Sequence, residues 1–334
     1  MKPLKLSFAC GFYDRTEPLR LGDVVPDGID LDYVGVHLPR EIFDRMARGQ
    51  AFDLSEMSTS ELIVSMSHPD CPYVAIPVFP SRAFRHGFIF YNKRSGIRAP
   101  GDLAGKRVGV GLYTQTAAIW IRGHLAHDYG VDLSTIHWVQ GAIENPGPHG
   151  DPQVHPLLKP VSIEQNESGL SLSDLLAEGR IDALIGARVP DTYPGHPDVA
   201  RMFPDYRAIE RDFYLRTRIH PVMHAVTIRR DVYERDPWIA ASLYRALEDS
   251  KNLAVKRMRF TAAPKYMLPW LYAEVDEIDE VFGGDPWPYG IEPNRPTLDA
   301  LMEYMVEQHL IEKPVPLDKL FIPVPEGESR MPLR

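Results

Sequence analysis

The chain alternates short apolar segments with segments of helical periodicity. Leu4–Cys10 and Ile29–Val36 predict strands, while Arg40–Arg48 has apolar residues at helical spacing and stops at Gly49. Phe52–Met57 predicts a third strand. Strands that are separated by helices pair in parallel, because each helix returns the chain to the same edge of the sheet. We therefore expect an α/β protein.

The length and one punctuated segment predict two domains. With 334 residues, the chain exceeds the size at which a single hydrophobic core keeps growing. Ile97–Lys106 is interrupted by proline and glycine, and a new strand–helix unit follows it. His220–Ile228 is another extended run. We predict a discontinuous first lobe (residues 1–92 and 220–334), a second lobe (residues 93–219) and two crossover segments between them.

Charge and composition exclude several classes of protein. A net charge of −9 argues against a general nucleic-acid binder, which carries a basic footprint. No run approaches the roughly 18 apolar residues of a membrane span. Leu4–Cys10 alternates like a strand and lacks the apolar core of an export signal, so we expect a cytoplasmic protein. Two cysteines, Cys10 and Cys71, are too few for a disulfide framework.

Three segments carry a resemblance to a known fold. Asp102–Val110, together with Phe52–Ser60 and Gly179–Leu184, resembles the type II periplasmic-binding-protein fold. The resemblance implies two lobes, each a mixed sheet flanked by helices, with a small ligand held in the cleft between them. These motifs specify the fold and leave the ligand open.

Three further segments resemble a narrower group. Pro77–His86, Tyr113–Thr116 and Asp285–Gly290 are similar to those of the 4,5-dihydroxyphthalate decarboxylases, enzymes on a binding-protein scaffold. The resemblance implies a carboxy-lyase of phthalate catabolism that converts 4,5-dihydroxyphthalate to 3,4-dihydroxybenzoate. We expect a small aromatic dicarboxylate as the partner, no nucleic acid, no membrane, and a homo-oligomer.

A local concentration of basic residues offers anchors for such a substrate. No acidic residue lies between Cys71 and Gly101, and Arg82 and Arg85 stand there among phenylalanines. The planar guanidinium can donate two parallel hydrogen bonds to a carboxylate. If this segment is extended, Arg82 and His86 lie on one face and Arg85 on the other.

Histidines and one glutamate are the candidates for proton transfer. His220 and His224 fall on one face of the second extended run, and Glu56 stands at the end of a strand, where open α/β sheets meet ligands. Two histidines with Glu56 could also hold a divalent metal, but nothing in their spacing requires one. We therefore assign no metal and no cofactor, and name His86, His220, His224 and Glu56 as catalytic candidates.

The loop at Tyr113–Thr116 lies between a strand and a helix. Unpaired backbone N–H groups at a helix start attract anions, although an ordinary helix cap has the same sequence. The candidates for substrate binding are therefore Arg15, Ser58, Arg82, Arg85, Tyr113, Gln115, Thr116, Arg188 and Trp287.

The chemistry that the resemblance implies needs an acid. Loss of CO₂ from a ring carbon leaves an aryl anion unless that carbon is protonated first, and we favour His86 as the donor beside a carboxylate held by Arg82. Two alternatives remain open: a non-catalytic solute-binding protein for a small organic anion, and another lyase on this scaffold, similar to those of the menaquinone pathway. Release of CO₂ from 4,5-dihydroxyphthalate distinguishes them.

Overall fold

A computed structural model describes residues 2–153 and 155–333. Its strands are β1 (Leu4–Cys10), β2 (Ile29–Gly35), β3 (Leu54–Ser58), β4 (Tyr73–Arg82), β5 (Ile89–Asn92), β6 (Arg107–Val110), β7 (His137–Gln140), β8 (Ile163–Gln165), β9 (Ala183–Ile185), β10 (Val199–Arg201) and β11 (Val222–Arg229). Its α-helices are α1 (Glu17–Leu21), α2 (Pro39–Gly49), α3 (Thr59–Met66), α4 (Thr116–His127), α5 (Leu172–Glu178), α6 (Tyr206–Thr217), α7 (Arg230–Arg235), α8 (Ile239–Arg259), α9 (Leu271–Phe282), α10 (Arg295–Glu307) and α11 (Leu317–Leu320).

The first sheet has the strand order β2-β1-β3-β11-β4. β1 runs parallel to β2 and to β3, while β11 runs antiparallel to β3 with His224 opposite Ser58. The parallel part follows from the predicted alternation, since α1 and α2 return the chain after β1 and β2. As a result, the ends of β1 and β3 and the start of β11 meet at one edge of the sheet.

The second sheet has the order β10-β5-β9-β6-β7-β8. β6 runs parallel to β7 and β9, whereas β5 is antiparallel to β9 and β10. Helix α4 packs here with nearly every residue buried, among them Trp120 and Arg122. Together with Trp138 of β7 and Val108 of β6, these residues show that this sheet has its own core. The chain thus contains two mixed sheets with flanking helices, and the predicted fold class is confirmed.

The chain divides into two compact units. The first comprises the residues up to Arg82, His224–Pro296 and the residues from Val315 onward, and the second comprises Ala83–Met223 and Thr297–Pro314. The predicted boundaries at residues 92 and 220 differ from these, and residues 297–314 were not expected in the second unit. Helix α10 explains the last difference, because Gln308, just after it, accepts a hydrogen bond from buried Arg122 of α4.

We expected Arg82 and His86 to share one strand face, and His220 and His224 another. Neither pair lies within a single strand. β4 ends at Arg82 and His86 begins a short 3₁₀ turn, so Arg82 and His86 do not share a strand face. β11 begins at Val222, so His220 precedes the strand that carries His224. Alternation of faces holds only while the backbone stays extended. In addition, Arg82 lies in the first unit and His86 in the second.

Helix α8 is the longest helix that the structure describes. It spans 21 residues, and three basic residues fall in its last turn. None of the helices in residues 2–153 and 155–333 combines the length and the hydropathy that crossing a bilayer requires.

Candidate active site

Glu56 forms the centre of a polar cluster inside the first unit. It lies on β3, whose residues are all buried, and its side chain has no exposed area. One carboxylate oxygen accepts the Gly11 backbone N–H at 2.6 Å. The other accepts the Tyr13 hydroxyl at 2.9 Å and lies 2.8 Å from Nδ1 of His224. These donors offset the cost of placing a carboxylate where water cannot reach it.

His224 is aligned by the antiparallel pairing of β11 with β3. Its ring packs edge-on against Phe43 with the ring centres 4.9 Å apart, and its side chain keeps 17% of its surface exposed. Because Nδ1 faces Glu56, Nε2 is the nitrogen that can exchange a proton with a bound molecule. A buried carboxylate behind an imidazole also stabilises the imidazolium that forms when Nε2 takes up a proton.

Two partly buried phenols complete the polar cluster. Burial and the charge of Glu56 raise the pKa of Tyr13 well above its usual range. Burial likewise raises the pKa of Tyr33, whose hydroxyl donates to the Gly11 carbonyl at 2.6 Å. Both hydroxyls therefore keep their protons at neutral pH and act as hydrogen-bond donors.

Arg15 presents a stacked cation close to Glu56. Its guanidinium lies 4.3 Å from the ring centre of Tyr13 and 4.1 Å from that of Trp287. Its Nε donates to the Pro80 carbonyl at 2.6 Å, and Nη1 donates to Asp14 at 3.0 Å. Two aromatic rings and two hydrogen bonds hold the guanidinium plane, while Nη2 makes no hydrogen bond to the described residues. This nitrogen can donate to an incoming carboxylate.

The loop that carries Trp287 is tied to the body of the first unit. Asp285 accepts the Trp287 backbone N–H at 2.9 Å and the Lys251 ammonium at 2.7 Å. The indole N–H of Trp287 donates to the Phe79 carbonyl at 2.8 Å. Arg82, which is buried, donates to Asn294 and, at 2.9 Å, to the Pro288 carbonyl. Arg82 thus joins the end of β4 to this loop.

Arg85 is a buried cation in the second unit. Its Nε lies 3.2 Å from the sulfur of Met223, and Nη1 is 3.5 Å from the Ala187 carbonyl. Burial lowers the pKa of Arg85 to about 10, against the opposing effect of Glu210. Neither partner that it contacts carries a negative charge, so this guanidinium could still pair with an anion.

His86 and His220 are also buried in the second unit. His86 stacks on His124 with the ring centres 4.8 Å apart, and it contacts Phe213. Burial, helped by His124, lowers the pKa of His86 to about 3, so the ring is neutral at pH 7. His220 stacks on Phe84 at 4.6 Å. A neutral His86 does not supply the imidazolium that the sequence favoured as the acid.

The loop before α4 makes contacts with other side chains of the same unit. The backbone N–H of Tyr113 donates to the side chain of Gln140 at 2.7 Å, and Gln115 occupies the N-cap position before Thr116 without a side-chain capping bond. The Gln115 amide nitrogen lies 3.3 Å from a ring nitrogen of His149. Elsewhere in this unit, Arg188 forms an ion pair with Glu144.

The structure separates the predicted residues into two groups. In the first unit, Glu56 and His224 touch, and Arg15 stacks on Trp287; Ser58, two residues after Glu56 on β3, contacts Ser60. The second unit holds Arg85, His86, Tyr113, Gln115, Thr116, Arg188 and His220.

Tyr13, a direct partner of Glu56, was not predicted. It lies three residues after the end of β1, and the rule that open α/β sheets meet ligands at the carboxyl ends of strands could have identified it.

The fold places the chain in a large class of proteins. It is similar to the periplasmic aliphatic sulphonate binding protein SsuA from Escherichia coli, with a TM-score of 0.52 at 13% identity over 98% of this chain and 95% of that one. This is the periplasmic-binding-protein fold, here with a buried carboxylate–histidine pair at a sheet edge. No protein-family model matches the chain.

Two sequence relatives identify the family. The chain is 38% identical to 4,5-dihydroxyphthalate decarboxylase from Comamonas testosteroni over 303 residues, which cover 90% of this chain and 91% of the relative. It is 40% identical to the enzyme of the same name from Pseudomonas putida over 64% of this chain and 83% of the relative. The chain belongs to the 4,5-dihydroxyphthalate decarboxylase family. The predicted family and the predicted carboxy-lyase class are confirmed.

Proposed function

We propose that this protein decarboxylates 4,5-dihydroxyphthalate to 3,4-dihydroxybenzoate in phthalate catabolism, and that His224 and Glu56 transfer the proton. The names of both sequence relatives support the reaction. The observation that carries the site is the 2.8 Å contact between buried Glu56 and His224. It provides an oriented imidazole with one nitrogen directed away from its carboxylate.

The reaction replaces a carboxylate by a proton on one ring carbon. A hydroxyl para to that carbon donates electron density, which makes the carbon basic enough to accept a proton. The bond to the carboxylate then breaks, its electron pair restores the aromatic ring, and CO₂ leaves. The net change is uptake of one proton and release of one CO₂, so an acid is the central requirement.

His224 fits the role of the acid in this scheme. Its imidazolium donates from Nε2 to the ring carbon, while Glu56 holds Nδ1 and stabilises the charged ring before transfer. The Gly11 N–H and the Tyr13 hydroxyl keep the carboxylate in place. After CO₂ leaves, His224 recovers its proton from solvent.

Arg15 fits the role of a carboxylate anchor. Stacking on Tyr13 and Trp287 fixes its guanidinium, so little conformational freedom is lost when a carboxylate binds. Tyr13 contacts both residues, because Arg15 lies over its ring and Glu56 accepts a hydrogen bond from its hydroxyl, so one phenol links the anchor to the proton-transfer pair. Contacts of the substrate with the remaining predicted residues stay predictions: Ser58, Arg82, Arg85, Tyr113, Gln115, Thr116, Arg188, Trp287, His86 and His220.

The test is turnover by the purified protein and by His224→Gln. We expect the wild type to release one CO₂ and form one 3,4-dihydroxybenzoate per 4,5-dihydroxyphthalate consumed. Removing the acid should lower kcat about 10²–10⁴-fold with a modest change in KM. The matched control is His37→Gln in the same unit, which should keep wild-type kcat.

Two results would count against the proposal. Binding of 4,5-dihydroxyphthalate without CO₂ release would instead favour a solute-binding protein. A folded His224→Gln variant with wild-type kcat would remove His224 from the chemistry.

We further propose that the reaction needs no organic cofactor, that the protein is cytoplasmic, and that it forms a homo-oligomer. Protonation of the ring by a side chain supports the first point. Two free, buried cysteines, Cys10 and Cys71, are compatible with a reducing compartment. Cell fractionation and light scattering after size-exclusion chromatography test location and oligomeric state.

A further inference from the structure

A cluster of metal-ligand side chains lies in the second unit and includes neither Glu56 nor His224, the pair to which we assign proton transfer. His124 and Asp128 are one helical turn apart at the end of α4, and Nδ1 of His124 lies 3.5 Å from an oxygen of Asp128. His86 stacks on His124. One potential ligand atom from each of the three residues lies within 4.8 Å of the others.

Three ring nitrogens of the two imidazoles in this cluster are buried without a hydrogen bond in the part of the chain that the structure describes. His86 and His124 are each 2% exposed. Nδ1 of His86 and both ring nitrogens of His124 have no hydrogen-bond partner among the described residues. The aromatic rings of Phe213, Trp120 and Tyr304 lie nearby, and the Asp128 carboxylate oxygen, 3.5 Å from Nδ1 of His124, is too distant for a normal hydrogen bond. Each unsatisfied buried polar group is unfavourable, so these nitrogens indicate an absent partner.

A cavity of about 600 Å³ opens beside the cluster, and His86 and Asp128 line it. It is large enough for an ion to enter and for water to remain as a further ligand. Arg216 also lines this cavity, but its guanidinium is paired with Asp212 at 3.0 Å. Arg216 also acts electrostatically on Asp128 and His86, and its pairing with Asp212 offsets part of that positive charge.

We propose that His86, His124 and Asp128 form a site for a divalent transition metal, with Zn²⁺ the ion that best matches the ligands. Two imidazoles and a carboxylate are common zinc ligands, and water from the cavity would complete four-coordination. Zinc binds such atoms at about 2.0–2.2 Å, so rotation of the three side chains must shorten their present separations. The metal would join α4 to the 3₁₀ turn at His86–Phe88.

An exposed cluster nearby provides an internal control. His127, Glu303 and Glu307 also bring ligand atoms within 4.8 Å of one another, but all three are exposed. Nε2 of His127 already contacts Glu307 at 2.7 Å. This cluster has no unsatisfied buried nitrogen, so we do not assign it a metal.

The experiment titrates chelator-treated full-length protein with Zn²⁺ against a chromogenic competitor, and with Co²⁺ while the visible spectrum is recorded. We expect one equivalent of Zn²⁺ per chain, a higher thermal midpoint with the metal bound, and the intense visible bands of four-coordinate Co²⁺. His124→Ala and Asp128→Asn each remove a direct ligand. Loss of an outer-shell partner already weakens metal binding about 10–100-fold, so each variant should weaken Zn²⁺ binding by at least that factor. The matched control, His127→Ala, should bind like the wild type.

Asp128→Asn keeps the test valid if His124→Ala fails to fold, because Asp128 is an exposed residue at the helix end. The proposal is overturned if the wild type binds no stoichiometric Zn²⁺. It is equally overturned if a folded Asp128→Asn variant binds Zn²⁺ as tightly as the wild type, or if His127→Ala is the variant that loses it.

Discussion

At the scale of single residues, the carboxylate of Glu56 shows how a charge is accommodated inside the first unit. A carboxylate with no exposed area is unfavourable unless donors replace the lost water. An amide, a phenol and an imidazole do so at 2.6, 2.9 and 2.8 Å. One of these donors, His224, is itself able to move a proton, so the same contacts that solvate the charge also orient an acid.

Arg15→Lys tests whether stacking of the guanidinium matters beyond its charge. Lysine keeps the positive charge but cannot lie flat between Tyr13 and Trp287. We expect KM for 4,5-dihydroxyphthalate to rise about tenfold, equivalent to about 1.4 kcal/mol, with a much smaller change in kcat. Steady-state kinetics measure both constants. Arg20→Lys, on a half-exposed arginine nearby, is the control, and an equal rise in KM there would contradict the role of stacking.

At the scale of elements, the loop at Asp285–Gly290 depends on α8. Lys251 of α8 is 2% exposed, and its ammonium is 2.7 Å from Asp285, which in turn holds the Trp287 backbone. A helix thereby positions an aromatic ring that stacks on Arg15. The ion pair reaches Arg15 through Asp285 and Trp287, so Lys251 is a positioning residue.

Lys251→Met should loosen this loop. Asp285 loses its cation in a half-buried position, and we expect the free energy of unfolding to fall by about 1–3 kcal/mol, less than for a fully buried pair. KM should rise because Trp287 no longer holds Arg15. Denaturant unfolding and steady-state kinetics measure the two effects, and Lys251→Arg should restore part of both. Lys256→Met, at an exposed position of α8, should change neither; a folded Lys251→Met with wild-type KM would contradict the coupling.

At the scale of the whole molecule, many tyrosines are buried in both units. Burial raises the pKa of Tyr73 to about 12, and it raises the pKa values of Tyr13 and Tyr33 beyond their usual range. In the unfolded chain a tyrosine loses its proton near pH 10. Between that value and the folded pKa, the unfolded state binds fewer protons than the folded state, so stability falls as the pH rises.

We therefore expect alkaline unfolding that begins near pH 10, with a slope of about 1.4 kcal/mol per pH unit for each buried tyrosine that contributes. Below pH 10 these tyrosines should leave stability unchanged. Denaturant unfolding at a series of pH values, followed together with phenolate absorbance, measures this. Tyr73→Phe should flatten the alkaline slope, whereas Tyr272→Phe, at an exposed position, should not. Titration of all phenols near pH 10 in the folded protein would disagree with this expectation.

The sequence by itself determined the fold class, the family and several members of the site. Strand and helix periodicity are local properties, so β1 is predicted at its observed bounds and Glu56 is correctly placed on a strand. Arg15, Glu56 and His224 were recognisable because their chemistry suits an anion and a proton. The same reasoning did not show which of them would meet.

Only the tertiary structure decided the partners. Glu56 and Tyr13 are 43 positions apart, and Glu56 and His224 are 168 apart, so their contacts depend on which strands pair and in which register. Arg82 had the residue type of a carboxylate anchor, yet it bonds Asn294 and the Pro288 carbonyl, 212 and 206 positions away. His86 had the residue type of an acid, yet burial, helped by His124, lowers its pKa to about 3. Burial and long-range pairing set the charge and the partners of a side chain, and neither is encoded in the residues next to it.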